Sequence, residues 1–158
     1  MMCFMNPNLK NTSLALVFLF ALVSSAAGQG KTASAKSLRC TFQLNATGTW
    51  NKQGTAEAAV KPASTLVLAF DSINADDGTG ELKNGSTGTE VIVRLTAGYL
   101  HFIQAFRTGA LYTTTVFDKE TTGGKLKAVH SRHEYFAVPL AGSTSSPEQY
   151  YGECEVTS

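Results

Sequence analysis

The stretch from Val91 to Phe117 constrains the fold of this chain more than any other segment does. It contains three runs rich in apolar and β-branched residues, and Ala97-Gly98 and Arg107-Thr108-Gly109 separate these runs. Short strands joined by glycine-containing turns pair as antiparallel hairpins. The segment therefore predicts a meander of three antiparallel strands.

Strand-like patterns continue on both sides of the meander. In the first of them, polar residues alternate with four residues that would share one buried face: Cys40, Phe42, Leu44 and Ala46. Further strands are predicted at 64–73, 81–83, 125–136 and 149–156, whereas 56–61 fits either a helical turn or a strand. Asn84-Gly85 is the strongest two-residue turn signal.

About seven or eight strands with no convincing helix predict an all-β domain. Sequential hairpins favour an up-and-down β-barrel, closed or nearly closed, because closure leaves no exposed strand edge. A two-sheet β-sandwich is the alternative, since strand periodicity does not separate the two architectures.

The start of the chain has the layout of a secretion signal. Leu14–Val23 is an apolar run of about ten residues, which matches a signal-peptide core and is too short for a bilayer, where roughly 20 are needed. Small residues follow, and Ser25 and Ala27 fit cleavage after Ala27, with Ala26 as the alternative site. A short membrane anchor is the other interpretation of the apolar run.

These features divide the chain into three segments. We predict a signal peptide over residues 1–27, a flexible leader over 28–38 and a single all-β domain over 39–158. The predicted location is secreted or periplasmic, with no membrane span after signal cleavage.

Two cysteines would remain after removal of the signal, because Cys3 leaves with it. Cys40 and Cys154 stand near the two ends of the remaining domain, and an even pair in an exported protein predicts a disulfide. The chain-entropy model gives about 4–5 kcal/mol for a loop of this length. Two free thiols are the alternative, and a pair of thiolates without a CxxC spacing is too few for a zinc site.

The charge balance argues against two classes of partner. The chain has 13 basic and 12 acidic residues, and loss of Lys10 would leave them equal in number. A balanced surface has no electrostatic footprint for nucleic acid or for an anionic membrane. We expect no nucleic-acid partner and no cofactor, and the sequence leaves the oligomeric state open.

A short motif after Cys40 suggests a family resemblance. Thr47-Gly48-Thr49-Trp50 places a Gly-x-Trp near the amino terminus of a predicted secreted β-protein, which resembles the opening of the calycins, meaning lipocalins and avidins. The resemblance covers three or four residues and one arginine, and a strand precedes the motif, unlike the family pattern. It implies a barrel in which Trp50 packs across one end against Arg132. The alternative is that Trp50, the single tryptophan, is a core or rim aromatic residue.

The motif His130-Ser131-Arg132-His133-Glu134 contains the other chemically suggestive residues. In a strand, His130 and His133 point to opposite faces, so they cannot chelate one metal, and no metal site is predicted. A hydrolase using either histidine is the least favoured reading, because no G-x-S-x-G nucleophile turn is present.

Arg132 and His130 share the predicted face of this strand with apolar residues. If that face is interior, the buried charge of Arg132 needs a partner. Glu90, Glu134 or a ligand carboxylate would serve, whereas backbone carbonyls or Trp50 would satisfy it in a purely structural role.

Aromatic residues of the meander would line or fill the barrel. They are Tyr99, Phe102, Phe106, Tyr112 and Phe117. We therefore predict non-enzymatic binding of a small apolar or amphipathic ligand. The candidate ligand-binding residues are Trp50, Phe102, Phe106, Phe117, His130 and Arg132. The alternative is a structural or envelope-associated protein with a filled core that binds a protein partner through its surface.

Overall fold

The computed structural model describes residues 30–134 and 146–157. The predicted signal peptide and most of the loop before the last strand therefore lie outside the described residues. Within these two ranges, one short helix and eight strands follow in order: α1 (Lys31–Ser34), β1 (Leu38–Trp50), β2 (Ala56–Asn74), β3 (Thr79–Asn84), β4 (Thr87–Thr96), β5 (Tyr99–Ala105), β6 (Leu111–Glu120), β7 (Leu126–His133) and β8 (Glu148–Val156).

The eight strands form one antiparallel sheet that closes on itself. Each strand pairs with the next along the chain, and β1 pairs with β8 as well as with β2. This confirms the predicted all-β barrel and its antiparallel meander, and it excludes the two-sheet sandwich. No helix of the described part is long and apolar enough to cross a membrane.

A disulfide joins the two strands that close the barrel. Cys40 and Cys154 are direct partners in the ladder between β1 and β8, are bonded to each other, and are fully buried. The predicted pairing is confirmed. Near it, Gly152 allows β8 to approach β1, because a Cβ atom at this position would lie 2.0 Å from the carbonyl oxygen of Thr41.

An irregularity in β1 reverses which side chains face inward. The pairing register shifts between Phe42 and Leu44 on both sides of the strand. Before the shift, Cys40 and Phe42 are buried; after it, Leu44 is 41% exposed and Asn45 is buried. The prediction that Leu44 and Ala46 continue the buried face is wrong, because the extra residue of a bulge moves later side chains to the opposite face.

The helix α1 covers one end of the barrel, within the segment predicted to be a flexible leader. Thr32 is buried and donates a hydrogen bond from Oγ1 to the carbonyl oxygen of Gly98, 3.3 Å away. Lys31 forms an ion pair with Glu120, and Ala35 is buried. In the structure this segment therefore packs against the turn between β4 and β5.

The strand β2 resolves the ambiguity at 56–61, which is extended. Residues Ala56 to Pro62 and Leu66 to Leu68 pair with β1, and pairing of β2 with β3 begins only at Ala69. Pro62 lies inside the strand, at the level of the shift in β1. The first part of β2 is therefore bordered by a strand on one side only among the described residues.

The turns carry the expected backbone conformations, with one change of position. Ala97 and Gly98 connect β4 to β5 with positive φ angles of 50° and 81°. At the predicted Asn84-Gly85 turn, Asn84 instead pairs with Thr87, so Gly85 is the first of the two central residues and has a φ of 63°. Glycine first is the pattern of the II′ hairpin class.

The barrel interior near α1 is filled by apolar side chains. Phe70 and Phe102 stack there with ring centroids 3.8 Å apart. The buried apolar residues are Ala35, Leu38, Cys40, Phe42, Phe70, Ile73, Val91, Val93, Leu100, Phe102, Val116, Leu126, Ala128 and Cys154. Beyond Phe42 the interior becomes polar, and the candidate site lies in that part.

Candidate functional site

Polar and aromatic side chains converge inside the barrel toward the end opposite α1. Strands β1, β6, β7 and β8 supply them, because alternation along each strand turns every second residue inward. We name as the polar cluster Asn45, Tyr112, Thr114, His130, Arg132 and Tyr150. Phe42 borders it, with its ring centroid 5.9 Å from that of His130.

His130 is held as a neutral imidazole at the centre of the polar cluster. Burial first, and then the positive charge of Arg132, lower the pKa of His130 from 6.5 to about 4. The Nε of Arg132 donates to Nε2 of His130 across 3.3 Å. Nε2 is therefore the acceptor nitrogen, so Nδ1 carries the proton and donates to Oγ1 of Thr114, 2.9 Å away.

The guanidinium of Arg132 lies between two tyrosine rings. Its Cζ is 5.3 Å from the ring centroid of Tyr112 and 5.3 Å from that of Tyr150. Such contacts are favourable cation–π geometry. Within the described ranges no carboxylate forms an ion pair with Arg132. Of the two predicted glutamate partners, Glu90 instead lies exposed opposite Glu81 in the β3–β4 ladder.

Two carboxylates hold the tyrosines in place. Tyr112 donates from its hydroxyl to Oε2 of Glu134 at 2.7 Å, and Tyr150 donates to Oε2 of Glu148 at 2.5 Å. Burial, reinforced by the bond to Glu134, raises the pKa of Tyr112 to about 12. Burial and the bond to Glu148 also raise the pKa of Tyr150. Both phenols therefore stay protonated, and the two rings stay beside Arg132.

Asn45 contributes an unusual acceptor to the polar cluster. Its side chain is 2% exposed, and Oδ1 has no hydrogen-bond partner among the described residues. The Asn45 side chain lies near the Tyr150 hydroxyl and opposes the rise in the pKa of that group. An unsatisfied buried acceptor costs about 1–3 kcal/mol, so native proteins usually supply a water or a ligand donor.

A cavity of about 570 Å³ opens at the same end of the barrel. We name it the mouth cavity; its described lining is Trp50, Thr108, Gly109, Ala110, His133, Glu134 and Pro147. Trp50 is 55% exposed, so much of its indole faces solvent. Glu134 is buried and also bonds Tyr112, which connects the cavity to the polar cluster. The volume lies within the range of small-molecule pockets.

The structure gathers some of the predicted site residues and separates others. Trp50, His130 and Arg132 lie at this end, and Phe106 packs on Tyr112 with ring centroids 4.8 Å apart. Phe102 instead belongs to the apolar core. Phe117 packs edge-on against Tyr99, on the opposite side of β6 from the buried Val116.

Several residues of the site were not among the predicted candidates. Glu134 was considered only as a partner for Arg132, and Tyr150 lies in the predicted strand 149–156, where alternation turns every second side chain inward. Nothing in the sequence pattern indicated Asn45, because its inward direction depends on the bulge in β1 relative to β8. In the described part of the chain, no group of three metal-ligating side chains is close enough to hold an ion.

Comparison with known proteins adds no template for this arrangement. No protein-family model matches the chain, and neither a curated protein nor a solved structure matches it. The resemblance of Gly48-Thr49-Trp50 to the calycin opening stays a prediction, and the site is interpreted from its own geometry.

Proposed function

We propose that this protein is a non-enzymatic binding protein that holds one small amphipathic molecule at the polar end of its barrel. The observation that carries the proposal is the mouth cavity of about 570 Å³, which has Trp50 and the buried carboxylate of Glu134 in its lining. An aromatic face beside a few fixed polar groups is the usual composition of a small-molecule site.

The filled core narrows the ligand class to amphipathic molecules. A purely apolar ligand would need space among the core side chains, but Phe70 and Phe102 stack there and close it. The mouth cavity instead combines the indole of Trp50 with hydrogen-bonding groups on Thr108, His133 and Glu134. A ligand with one apolar face and several hydrogen-bond donors would match this lining.

The polar cluster would act as a rigid support for the bound molecule. Arg132 is fixed by His130 and by two tyrosine rings, and Tyr112 in turn bonds Glu134 in the cavity lining. Each of these groups has a defined partner, so binding would require little ordering of side chains. Preorganisation of this kind lowers the entropic cost of binding.

The same geometry supports a role without catalysis. Both ring nitrogens of His130 are engaged, and its pKa of about 4 leaves the imidazole uncharged at neutral pH. A general acid–base group normally has a pKa near the working pH and a proton-transfer path to substrate. The buried disulfide Cys40–Cys154 supports an oxidising location, secreted or periplasmic.

Binding can be tested by native mass spectrometry and by the fluorescence of anilinonaphthalene sulfonate, an amphipathic probe. The domain would be purified from an oxidising compartment, and its mass compared before and after denaturation. Thr108→Trp would fill the mouth cavity, whereas Thr87→Trp changes another exposed threonine at the β3–β4 turn. We expect T108W to lose excess mass or probe signal and T87W to keep it.

The competing function is a structural or envelope-associated role with partner binding through the outer surface. The filled apolar core favours it, since much of the interior is unavailable to any ligand. A bare mass for the native domain, together with equal probe signals for T108W and T87W, would reject ligand binding and leave this alternative.

A further inference from the structure

The first part of β2 has a strand on one side only, as far as the described residues show. The backbone N–H of Asn51 donates to the carbonyl of Thr55 at 3.0 Å, so these two residues form a hydrogen-bonded pair. Hydrogen-bonded and non-hydrogen-bonded pairs alternate from there along the β1–β2 ladder. Residues 57, 59 and 61 then face β1, and residues 56, 58, 60 and 62 point their backbone groups away from it. A second hydrogen bond agrees with this assignment. Gly48 lies opposite Ala58, and its N–H donates to the carbonyl of Pro147 at 3.1 Å, on the side of β1 away from β2.

We name Ala56–Pro62 the free edge. All seven of its side chains are exposed, and Val60 is 68% exposed. Its backbone offers both donors and acceptors at Ala58 and Val60, whereas Pro62 offers only a carbonyl. Unpaired strand edges of this kind are templates for pairing with another strand.

We propose that the free edge pairs antiparallel with the free edge of a second copy of this chain, about a two-fold axis at Ala59. In that register Ala58 is opposite Val60 of the second copy, and the two exchange backbone hydrogen bonds. Glu57 is opposite Lys61 of the second copy, and the same pair repeats on the other side of the axis. An isologous two-fold contact of this kind is self-complementary and closed.

The sequence of the free edge fits this register and no adjacent one. Glu57 and Lys61 stand at equal distances from Ala59 and carry opposite charges. They fall at non-hydrogen-bonded pair positions, where cross-strand side chains approach most closely. A shift of the register by two residues in either direction places Glu57 opposite Ala59 or Ala63 and removes both charge pairs.

Charges and a proline on an edge strand also protect proteins against uncontrolled pairing. In the free edge, the charges favour one register of pairing and the proline limits its length. Pro62 lacks an N–H, so it ends the hydrogen-bonded run and limits pairing to the seven residues of the free edge. A single pair of short strands buries less area than a standard stable interface, so the dimer is weak and depends on concentration. The proposal is independent of the proposed ligand.

Charge exchange tests the register. Sedimentation velocity over a wide concentration range should show reversible dimerisation of the unmodified domain. Lys61→Glu places like charges opposite each other twice, as does Glu57→Lys, and each variant should weaken the dimer about tenfold or more. The double variant E57K/K61E restores opposite charges and should recover the affinity of the parent.

Cross-linking tests the axis. Ala59→Cys places two thiols opposite each other across the two-fold axis, with Cα atoms about 4.5 Å apart, which is within disulfide range. Ala59→Cys should therefore form a covalent dimer under mild oxidation. Ala58→Cys is the matched control, because it would lie opposite Val60 of the second copy and should stay monomeric.

Hydrogen exchange gives a readout that needs no substitution. The amides of Ala58 and Val60 should exchange rapidly at low protein concentration and become protected at high concentration. The proposal is overturned by a monomer at every concentration, or by a dimer that K61E and E57K leave unchanged. Protection of these two amides at every concentration would also overturn it, because another part of the chain would then cover the free edge.

Discussion

The Nε of Arg132 lies 3.3 Å from Nε2 of His130 and donates a hydrogen bond to it. A cation that donates to an imidazole selects the neutral form of the ring and opposes its protonation. One contact therefore defines both the tautomer of His130 and the orientation of the guanidinium between its two tyrosines. The polar cluster is organised around this pair.

The first prediction concerns stability as a function of pH. The folded pKa of His130 is about 4, below the unfolded value of 6.5, so the unfolded chain binds more protons between these two values. Stability should therefore fall as the pH decreases from about 6.5 to about 4, by an amount on the order of 3 kcal/mol. Urea unfolding across this range measures it.

The control for this prediction is His130→Gln, which removes the titrating group. Its unfolding free energy should lose most of the slope between these pH values, although other groups titrate below about pH 5. An imidazole that titrates near 6.5 in the folded protein, followed by NMR, would contradict the burial and charge effects assigned to His130.

The second prediction concerns Arg132. Replacement by Met keeps much of the apolar side chain but removes the cation between the tyrosines and the donor to His130. Arg132→Met should destabilise the protein by about 1–2 kcal/mol and raise the pKa of His130. The pKa measurement separates this role from packing alone. Arg107→Met, at an exposed position in the turn after β5, should change neither property.

The third prediction tests the close approach of the closing strands. An added methyl at Gly152 would meet the carbonyl oxygen of Thr41 at 2.0 Å, and this atom belongs to the backbone. Gly152→Ala should therefore destabilise the fold by about 1–3 kcal/mol or more. Gly48→Ala is the matched control, because a Cβ atom there meets nothing within 4 Å. Equal urea midpoints for the two variants would contradict the prediction, because β1 would then shift and accept the added methyl group without cost.

The fourth prediction uses the turn between β4 and β5. Ala97 has a φ of 50°, a left-handed conformation that asparagine adopts more readily than alanine. Ala97→Asn should raise the unfolding free energy by about 0.5–1 kcal/mol, and Ala97→Val should lower it, since β-branched residues disfavour this region. Thermal unfolding of both variants measures the difference, and the reverse order would contradict it.

The sequence predicts the barrel well because alternation is a local property. Runs such as Val91–Leu95 show one buried face without any knowledge of their neighbours, and glycine-containing turns mark where each strand reverses. The disulfide pairing followed because only Cys40 and Cys154 remain after the predicted signal. These features depend on composition and spacing rather than on contacts.

The candidate site was harder to predict because it depends on register. The direction of Asn45 is set by one extra residue in β1 relative to β8, and an alternating pattern does not show such a bulge. The position of Arg132 between Tyr112 and Tyr150 follows from the side-by-side alignment of β6, β7 and β8. Phe102 and Phe117 illustrate the same limit, since aromatic content alone does not separate core, cavity and outer surface.

The bond between Cys40 and Cys154 also has a mechanical consequence. It links the first and last strands at partnered positions, so a pulling force on the two chain ends passes through the covalent bond and bypasses the strands between them. Hydrogen-bond ladders between β2 and β7 would carry little of that load. A force applied between the two ends would therefore leave the sheet between these cysteines folded until the bond is reduced.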